Sequence, residues 1–454
     1  MFGGYVLRTR ELLGIGVVVV ALAVTGVVPS AAQAQAQAQG GSPKATEVGI
    51  TPTKIHVGIV ADVDNPFVPG LFQGVVDGLR GAADYLNSKA GGGGLAGRKL
   101  VVDFYDSKLS SNEARNGVIK ACQQDFAMVG NAALFLANMD DAISCEDTSG
   151  AATGLPDIPA IATGVPETCA PVTYPIGGTQ LICSTKDQHP QTYNVNQGDF
   201  KYFLKLHKND LHGALLASND TKDATRGGAV LISGAIQAGI KPDQNVTRSG
   251  RDQQSAFTGI VTQMKRDSSN YSLIVMSANS AIQLRSEAQL QGVTDPNIVW
   301  ECVISCYDKL LPGNAAVMDG EYIPLTFLPF EEAGSNATLD NFLKYVGKNK
   351  ANGFAVYGWV AGLVFAEAVK AAVAKDGVNG LTRRTLVSGI KTLHTFNAGG
   401  MVATVDIASR TPAACFMLVQ FKSGTFKRVY PKKKGTFDCK PSNHIEVKAD
   451  LIGN

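Results

Sequence analysis

The sequence predicts an α/β protein made of two similar units, each a mostly parallel sheet flanked by helices. Short apolar runs of strand length alternate with helix-length segments, and this alternation occurs twice along the chain. The first of these runs, "KIHVGIVAD", lacks a long polar alternation, as expected for a strand that is buried on both faces. The length of 454 residues also suits two domains better than one.

The first unit opens with the strand "KIHVGIVAD" and the helix "LFQGVVDGLRGAADYLNSK", whose apolar residues recur at helical spacing. The run "GGGG" ends this helix, because glycine accepts the positive φ of a C-cap. "KLVVDFYD" is the next strand, with Asp106 as a turn residue at its end, and "SSNEA" begins a helix capped by Ser110 or Ser111. "DFAMVGNA" and "IPAIATG" are the remaining predicted strands.

The second unit repeats this order. "HGALLASND", "YSLIVMSAN" and "NIVWECV" are predicted strands, and "GGAVLISGAIQAG" and "AIQLRSEAQLQG" are the helices between them. After these, "EYIPLTFLP" is expected to be an extended crossing segment and "GFAVYGWVAGLVFAEAVKAAVA" a long buried helix. "MVATVDI" and "AACFMLVQFKSGTFKRVYP" predict a strand followed by a β-hairpin that turns at "KSGT".

The N-terminal residues are typical of an export signal. Basic residues precede the apolar run "LLGIGVVVVALAVTGVVP", and "SAAQAQAQAQ" offers small-residue cleavage sites. Residues 1–36 are therefore expected to be a signal peptide and 37–52 a flexible lead-in, the alternative being an uncleaved membrane anchor. No cysteine follows the apolar run, so no lipobox is expected, and the mature protein is predicted to be periplasmic or otherwise outside the cytoplasm.

Eight cysteines follow the signal segment, and an even number in an exported chain indicates disulfides. Spacing alone leaves the connectivity open, and pairing between sequence neighbours is the prediction: Cys122–Cys145, Cys169–Cys183, Cys302–Cys306 and Cys415–Cys439. Cys302 and Cys306 could instead form a redox or metal pair, but their spacing is not C-x-x-C and no second Cys/His pair is near in sequence. No metal site and no cofactor are expected.

Taken together, the stretches "IHVGIV", "GGGGLAGRKLVVDFYDSKLSSNEA", "LIVMSAN" with "AQLQG", and "FAVYGWVAGLVFAEAV" resemble a known family. The chain is similar, over nearly all of its mature length, to type I periplasmic solute-binding proteins of the branched-chain amino-acid (Leu/Ile/Val) ABC-transporter group. The resemblance implies a two-lobed type I periplasmic-binding-protein fold with a three-segment hinge near residues 184–192, 316–328 and 396–404. It implies capture of a small molecule, an amino acid or a related carboxylate or amide, and its delivery to an ABC-transporter permease.

The domain boundaries expected from this resemblance are discontinuous. Lobe I would comprise residues 53–188 and 320–398, lobe II residues 189–319 and 399–440, and residues 441–454 would form a C-terminal tail. The protein is expected to be a monomer.

Candidate ligand contacts lie on loops after the predicted strands, because ligands of open α/β sheets bind at the carboxyl ends of strands. They are Asp64, Asn65, Phe67, Asn131, Ala132, Thr163, Gly164, Thr225, Asn279, Glu301 and Tyr307. In amino-acid-binding relatives, hydroxyl groups and backbone N–H groups hold the carboxylate and an acidic residue meets the ammonium, and the resemblance matches Thr163 and Glu301 to these roles. The loop "NAALF" departs from the family pattern because it has no Ser or Thr, and Leu134 and Phe135 there indicate a more apolar pocket.

Other classes of function fit the sequence less well. A formal net charge of +2 gives no support for nucleic-acid binding. No G-x-S-x-G, H-E-x-x-H or Walker loop occurs, which disfavours a secreted hydrolase, although paired carboxylates of a glycosidase need not be near in sequence. A sensor or receptor ectodomain remains the second hypothesis. It would need a membrane segment, which an uncleaved N-terminal run would supply.

Overall fold

The computed structural model describes residue 1 and residues 41–65, 68–178, 180–411 and 413–449. Apart from Met1, the predicted signal peptide lies outside the described residues, and so does the predicted contact Phe67.

The described residues contain thirteen strands. They are β1 Lys54–Ala61, β2 Lys99–Asp106, β3 Ala127–Val129, β4 Asp157–Ile158, β5 Gln191–Asn196, β6 His212–Ser218, β7 Lys241–Arg248, β8 Tyr271–Val275, β9 Val299–Cys302, β10 Tyr322–Leu325, β11 Met417–Lys422, β12 Thr425–Tyr430 and β13 His444–Ala449.

The described residues also contain thirteen α-helices. They are α1 Gln73–Asn87, α2 Ser111–Gln124, α3 Asp140–Ile143, α4 Val165–Thr168, α5 Gly198–Leu206, α6 Lys222–Ala238, α7 Thr258–Asp267, α8 Ala278–Leu290, α9 Leu310–Gly313, α10 Ala315–Met318, α11 Ala337–Tyr345, α12 Gly353–Asp376 and α13 Arg383–Ile390.

Lobe I is built on a four-stranded sheet in the order β2-β1-β3-β4, with all neighbouring strands parallel. Helix α1 ends at Asn87 with Ser88 as an extended C-cap, so the glycine run does not cap it as expected but forms the turn between α1 and β2. Ser110 caps α2 by accepting a hydrogen bond from the backbone N–H of Glu113. Asp106 is a turn residue, as expected, because its carboxylate accepts the N–H groups of Val63, Asp64 and Lys108.

Helices α1 and α12 pack against each other in the core of lobe I at glycine contacts. A Cβ on Gly78 would lie 2.0 Å from the carbonyl oxygen of Ala355, and a Cβ on Gly358 would lie 2.0 Å from that of Val75. Only glycine allows the two backbones to approach so closely. Helix α12 is long and apolar enough to cross a membrane by length and composition, but 67% of its most apolar window is buried in the fold, so it is a core helix here.

Lobe II is built on a seven-stranded sheet in the order β12-β11-β10-β9-β8-β6-β7. Strands β7, β6, β8, β9 and β10 run parallel to one another in that spatial order, and β11 and β12 form a hairpin whose first strand pairs antiparallel with β10. The hairpin turns at Ser423 and Gly424, which both have positive φ. The predicted "KSGT" turn is therefore confirmed.

The strands differ from the sequence-based expectation at five places. Gln191–Asn196 was not predicted as a strand, and the predicted strand "MVATVDI" is not one, because it makes only isolated bridges. Tyr322–Leu325 lies in the lobe II sheet between β9 and β11, whereas a crossing segment was expected there. Lys241–Arg248 was not predicted, because this edge strand is mostly polar and none of its residues is buried. His444–Ala449, expected to be tail, pairs antiparallel with Gln191–Asn196, so the fold extends at least to Ala449.

The four disulfides join the cysteines that are neighbours in sequence: Cys122–Cys145, Cys169–Cys183, Cys302–Cys306 and Cys415–Cys439. The disulfide prediction is confirmed in the structure, and no described cysteine is free. With both sulfurs in a disulfide, Cys302 and Cys306 offer no thiolate to a metal in this structure.

Candidate functional site

A cavity of about 830 Å³ lies between the two lobes, where strands of both sheets end. Loops after the lobe I strands contribute Leu109, Leu134 and Thr163, and the corresponding positions of lobe II contribute Ser218, Gly250, Met276 and Val303. This is the crevice at the carboxyl ends of parallel strands at which open α/β sheets bind ligands. Its volume lies within the range of roughly 300–1,000 Å³ typical of sites for small organic ligands.

Most of the side chains that line the cavity are apolar. Lobe I and its crossing segments supply Val68, Leu71, Phe72, Leu109, Leu134, Ile161, Ile176, Phe354 and Tyr357, and lobe II supplies Val195, Val230, Leu231, Val275, Met276, Val303, Ile304 and Leu310. Phe72 and Phe354 form an edge-to-face pair with ring centroids 5.3 Å apart. The "NAALF" loop contributes Leu134, which agrees with the apolar pocket expected from that loop.

Three carboxylates also line the cavity, and each already has a partner within the protein. Asp220 accepts hydrogen bonds from the hydroxyls of Ser218 and Ser249 and from the N–H of Gly250. Asp223 pairs with Arg226, and Asp308 accepts the N–H of Leu310. No Lys or Arg is among the described residues that line the cavity.

Burial changes the pKa of one of these lining carboxyls. It raises the pKa of Asp223 from its ordinary value of 3.8, and the nearby Arg226 guanidinium partly offsets that effect.

The N-termini of three long helices reach the cavity. Thr221, Ser277 and Asn352 are the N-cap residues of α6, α8 and α12, and all three line it. Each side chain accepts one N–H of its own helix, and other N–H groups of the first turn remain without a helical acceptor. These helix ends place positive partial charge at the cavity, where the described lining contains no Lys or Arg side chain.

Asp62, at the end of β1, positions two lining residues. It is fully buried, and its Oδ1 accepts the hydroxyl of Ser107 at 2.6 Å and the N–H of Leu109 at 2.8 Å. Its Oδ2 accepts the N–H of Leu134 at 2.7 Å. Burial raises the pKa of Asp62, while these hydrogen bonds lower it. One carboxylate thus fixes two loops that carry apolar side chains into the cavity.

A second buried carboxyl lies close to the cavity, in helix α4. Glu167 is fully buried, and neither of its carboxyl oxygens has a hydrogen-bond partner. Burial raises its pKa well above 4.5, and the charges of Asp157, Asp223 and Asp62 raise it further. Asp157 is also buried, and desolvation raises its pKa to about 7 despite hydrogen bonds from Thr173 and Asn131.

Two of the predicted contact residues, Thr163 and Asn279, line the cavity. Gly164 lies beside it, where an added Cβ would be 3.1 Å from Oδ2 of Asp223. Thr225 is one turn into α6, and its hydroxyl donates to the carbonyl of Thr221.

The other described candidates lie outside the lining. Asn131 bridges β1 and β4 by accepting the N–H of Val60 and donating to Asp157, and Ala132 is buried beside it. Asp64 is at the exposed turn after β1, and the side chain of Asn65 bonds the backbone of Val68.

Glu301 and Tyr307 lie in the protein interior. Glu301 is 1% exposed and accepts the hydroxyl of Tyr271 at 2.5 Å within the lobe II sheet. Tyr307 is buried, and its hydroxyl donates to Glu331 at 2.8 Å. In this structure both side chains lie in the interior and do not line the cavity.

Several residues that line the cavity come from distant parts of the chain and were not predicted from the sequence. Asn194 and Asn196 on β5, His444 on β13 and Tyr357 on α12 all line the cavity. The Asn-Gly-Phe start of α12 was a usable N-cap signal, but the polar segments that form β5 and β13 gave no sign that they would meet.

Comparisons with known proteins agree with this architecture. Residues 54–425 match the model of a family described as "Periplasmic binding protein". No curated protein matches the chain at a significant level.

Solved structures with the same fold share little sequence with this chain. A fatty acid ABC transporter substrate-binding protein from Thermomonospora curvata is 16% identical, with a TM-score of 0.64 over 87% of this chain and 98% of that one. A branched-chain amino acid ABC transporter protein from Thermus thermophilus with bound valine is 12% identical, with a TM-score of 0.64 over 83% and 95%. A solute-binding protein from R. palustris in complex with benzoate is 16% identical, with a TM-score of 0.60 over 83% and 95%.

Proposed function

The chain belongs to the periplasmic binding protein family, and from that premise we propose that it captures a mainly apolar small molecule between its lobes and delivers it to an ABC importer. Proteins of this family bind solutes outside the cytoplasm, where disulfides such as the four seen here persist. We further propose that an N-terminal signal, residues 1–36, directs the export, that no lipid anchor is added, and that the protein binds its ligand as a monomer without turning it over.

The observation that carries the proposal is the cavity of about 830 Å³ with its apolar wall. Burial of apolar ligand surface contributes about 25 cal/mol per Å², so this wall favours a ligand with an extended or ring-shaped hydrocarbon part. Solved structures of the same fold include proteins named for a fatty acid, for branched-chain amino acids and for benzoate.

The polar groups of the lining favour a head group that accepts hydrogen bonds, such as a carboxylate or an amide. Donors are available at the starts of α6, α8 and α12 and at Thr163 and Asn279. The three lining carboxylates already have protein partners, so the ammonium of a free amino acid would have to compete for them. We therefore propose that Thr163 and Asn279 contact the head group and that an apolar acid or amide fits better than valine.

Ligand delivery requires that the lobes move on the segments that join them. Thr326–Leu328 and Met401–Ala403 run side by side between the lobes, with a bridge between Phe327 and Val402. The N–H of Leu328 donates to the carbonyl of Met401 at 2.9 Å, and that of Ala403 donates to Thr326 at 2.7 Å. We propose these segments as two of the hinge strands. They fall within the expected ranges 316–328 and 396–404.

Thermal unfolding against decanoate, decanamide, benzoate and valine tests the ligand class. A ligand at a hundredfold excess over its Kd stabilises by about 2.7 kcal/mol, which gives a measurable rise in Tm. We expect decanoate or benzoate to raise Tm and to be recovered unchanged. A response to valine alone would contradict the head-group argument but not the binding role, whereas turnover of any of the four would contradict that role.

Delivery is tested by uptake of the radiolabelled ligand that binds. Deletion of the gene should abolish high-affinity uptake, and the wild-type chain should restore it. Normal uptake in the deletion strain, together with loss of a transcriptional response to the ligand, would favour the sensor hypothesis.

A further inference from the structure

Three side chains with metal-ligand chemistry converge on lobe I, away from the cavity. His56 is the third residue of β1, Asp103 lies on the neighbouring β2, and Asp125 follows the end of α2. His56 Nδ1 is 2.7 Å from Asp103 Oδ2, and the ligand atoms of all three residues lie within 4.8 Å of one another. No other such group of three His, Cys, Asp or Glu side chains occurs among the described residues.

One carboxylate oxygen of this group lacks a donor. Asp125 is fully buried, and its Oδ2 accepts the hydroxyl of Tyr105 at 2.8 Å, but its Oδ1 has no hydrogen-bond partner. The nearby guanidinium of Arg383 does not bond this carboxylate, because it donates instead to backbone carbonyls, including that of Asp125 itself. Asp125 faces Asp103 within hydrogen-bond range, and burial together with this second carboxyl raises the pKa of Asp125 to about 8, so the pair holds a shared proton that a cation bound between the two carboxylates would replace.

The backbone near Asp125 leaves space for its carboxylate and holds it in place. A Cβ on Gly58 would lie 2.6 Å from Asp125 Oδ2, so β1 makes room for the carboxylate by having glycine at this position. The disulfide Cys122–Cys145 holds the end of α2, and the N–H of Asp125 donates to the carbonyl of Ala121 at 2.8 Å. The side chains of His56 and Asp103 are 28% and 36% exposed, which leaves a path from solvent.

The ligand types of these three residues favour one class of metal ion. Imidazole nitrogen and carboxylate oxygen are both ligands of Zn²⁺, and three protein ligands would leave the fourth tetrahedral position to water. Calcium and magnesium prefer sets made of oxygen alone, so the imidazole favours a first-row transition metal.

We propose that His56, Asp103 and Asp125 bind a transition-metal dication, with Zn²⁺ as the first candidate. The ion ties the end of α2 to β1 and β2. The site lies in lobe I outside the lining of the cavity, and it keeps one coordination position for water.

Zinc titration of the purified, tag-free protein after EDTA treatment tests the proposal. Isothermal titration calorimetry with ZnCl₂ at pH 7.5 should show one site per chain, and Co²⁺ should give visible absorption bands of a low-symmetry site. His56→Gln should weaken Zn²⁺ binding at least tenfold, and Asp103→Asn, which changes a partly exposed side chain, should do the same without loss of the folded circular dichroism spectrum.

A second His–Asp pair in the chain provides a control for the zinc titration. His212 and Asp243 form a pair with the same geometry, Nδ1 to Oδ2 at 2.8 Å, but their third neighbour is the hydroxyl of Ser269. His212→Gln should therefore leave Zn²⁺ binding unchanged. The proposal is overturned if the protein binds no Zn²⁺ below millimolar concentration, or if His56→Gln and His212→Gln have equal effects.

Discussion

Replacement of Asp62 by Asn should weaken both the fold and the binding site. The carboxylate accepts the N–H of Leu109 on one oxygen and that of Leu134 on the other. An amide keeps one acceptor oxygen and turns an NH₂ group toward the other N–H, so one of the two backbone donors loses its partner in either orientation. A buried donor left unpaired costs about 1–3 kcal/mol, and we expect the free energy of unfolding to fall by about that amount.

The effect on binding follows from the same contacts. Leu109 and Leu134 both line the cavity, so the loop that loses its hydrogen bond no longer holds its side chain in place. We expect the affinity for decanoate, or for whichever panel compound binds, to fall several-fold. Urea unfolding followed by circular dichroism gives the stability, and isothermal titration calorimetry gives the affinity.

Asp106→Asn is the matched control. Asp106 ends the neighbouring strand, and it also accepts three backbone N–H groups, those of Val63, Asp64 and Lys108. None of these three residues lines the cavity, so this variant should lose stability but keep its affinity. If Asp62→Asn binds as tightly as the wild type with an unchanged free energy of unfolding, the positioning role of Asp62 is refuted.

Three further predictions concern other parts of the molecule. Burial raises the folded-state pKa of Glu167 above 4.5, so the wild type should lose stability relative to Glu167→Gln as the pH rises from about 4.5 toward that folded-state pKa, by up to about 1.4 kcal/mol per pH unit. Urea unfolding of both proteins at pH 5 and pH 7 measures this. The prediction is contradicted if the free energy of unfolding changes with pH by the same amount in the wild type and in Glu167→Gln. Phe354→Ala should lower the affinity for an apolar ligand about tenfold by calorimetry, with the fold retained, because Phe354 lines the cavity. Arg428→Met should cost about 3–5 kcal/mol in urea unfolding because it leaves the buried Glu332 carboxylate without its ion pair, and the double change with Glu332→Gln should recover part of that loss, whereas an additive loss would argue against the pair.

Local sequence patterns predicted many of the individual helices, strands and turns of this fold. The apolar runs that form β1, β2, β6, β8 and β9, the helical spacing of α1, the long apolar run of α12, the Ser110 cap and the Ser423–Gly424 turn each depend on residues close together in the chain, and each matches the structure. The disulfides could also be predicted, since each joins cysteines at most 24 residues apart.

The candidate site was only partly predictable, because its residues meet through distant contacts. Thr163 and Asn279 follow apolar strands and could be found by that rule. Glu301 obeyed a similar rule, but its side chain lies within the lobe II sheet, and one sequence does not reveal which face a buried residue takes. Asn196 and His444 line one wall although they are far apart in sequence, and no local pattern marked either.

The pairing of β13 with β5 affects how the protein acquires activity. Gln197 Nε2 donates to the carbonyl of His444, 247 residues further along the chain. Contacts of such long sequence separation form late, because the chain loses much entropy in closing so long a loop. The cavity wall that contains Asn194 and His444 is therefore completed after the local helices and strands, so during refolding the recovery of ligand binding should lag behind the recovery of secondary structure.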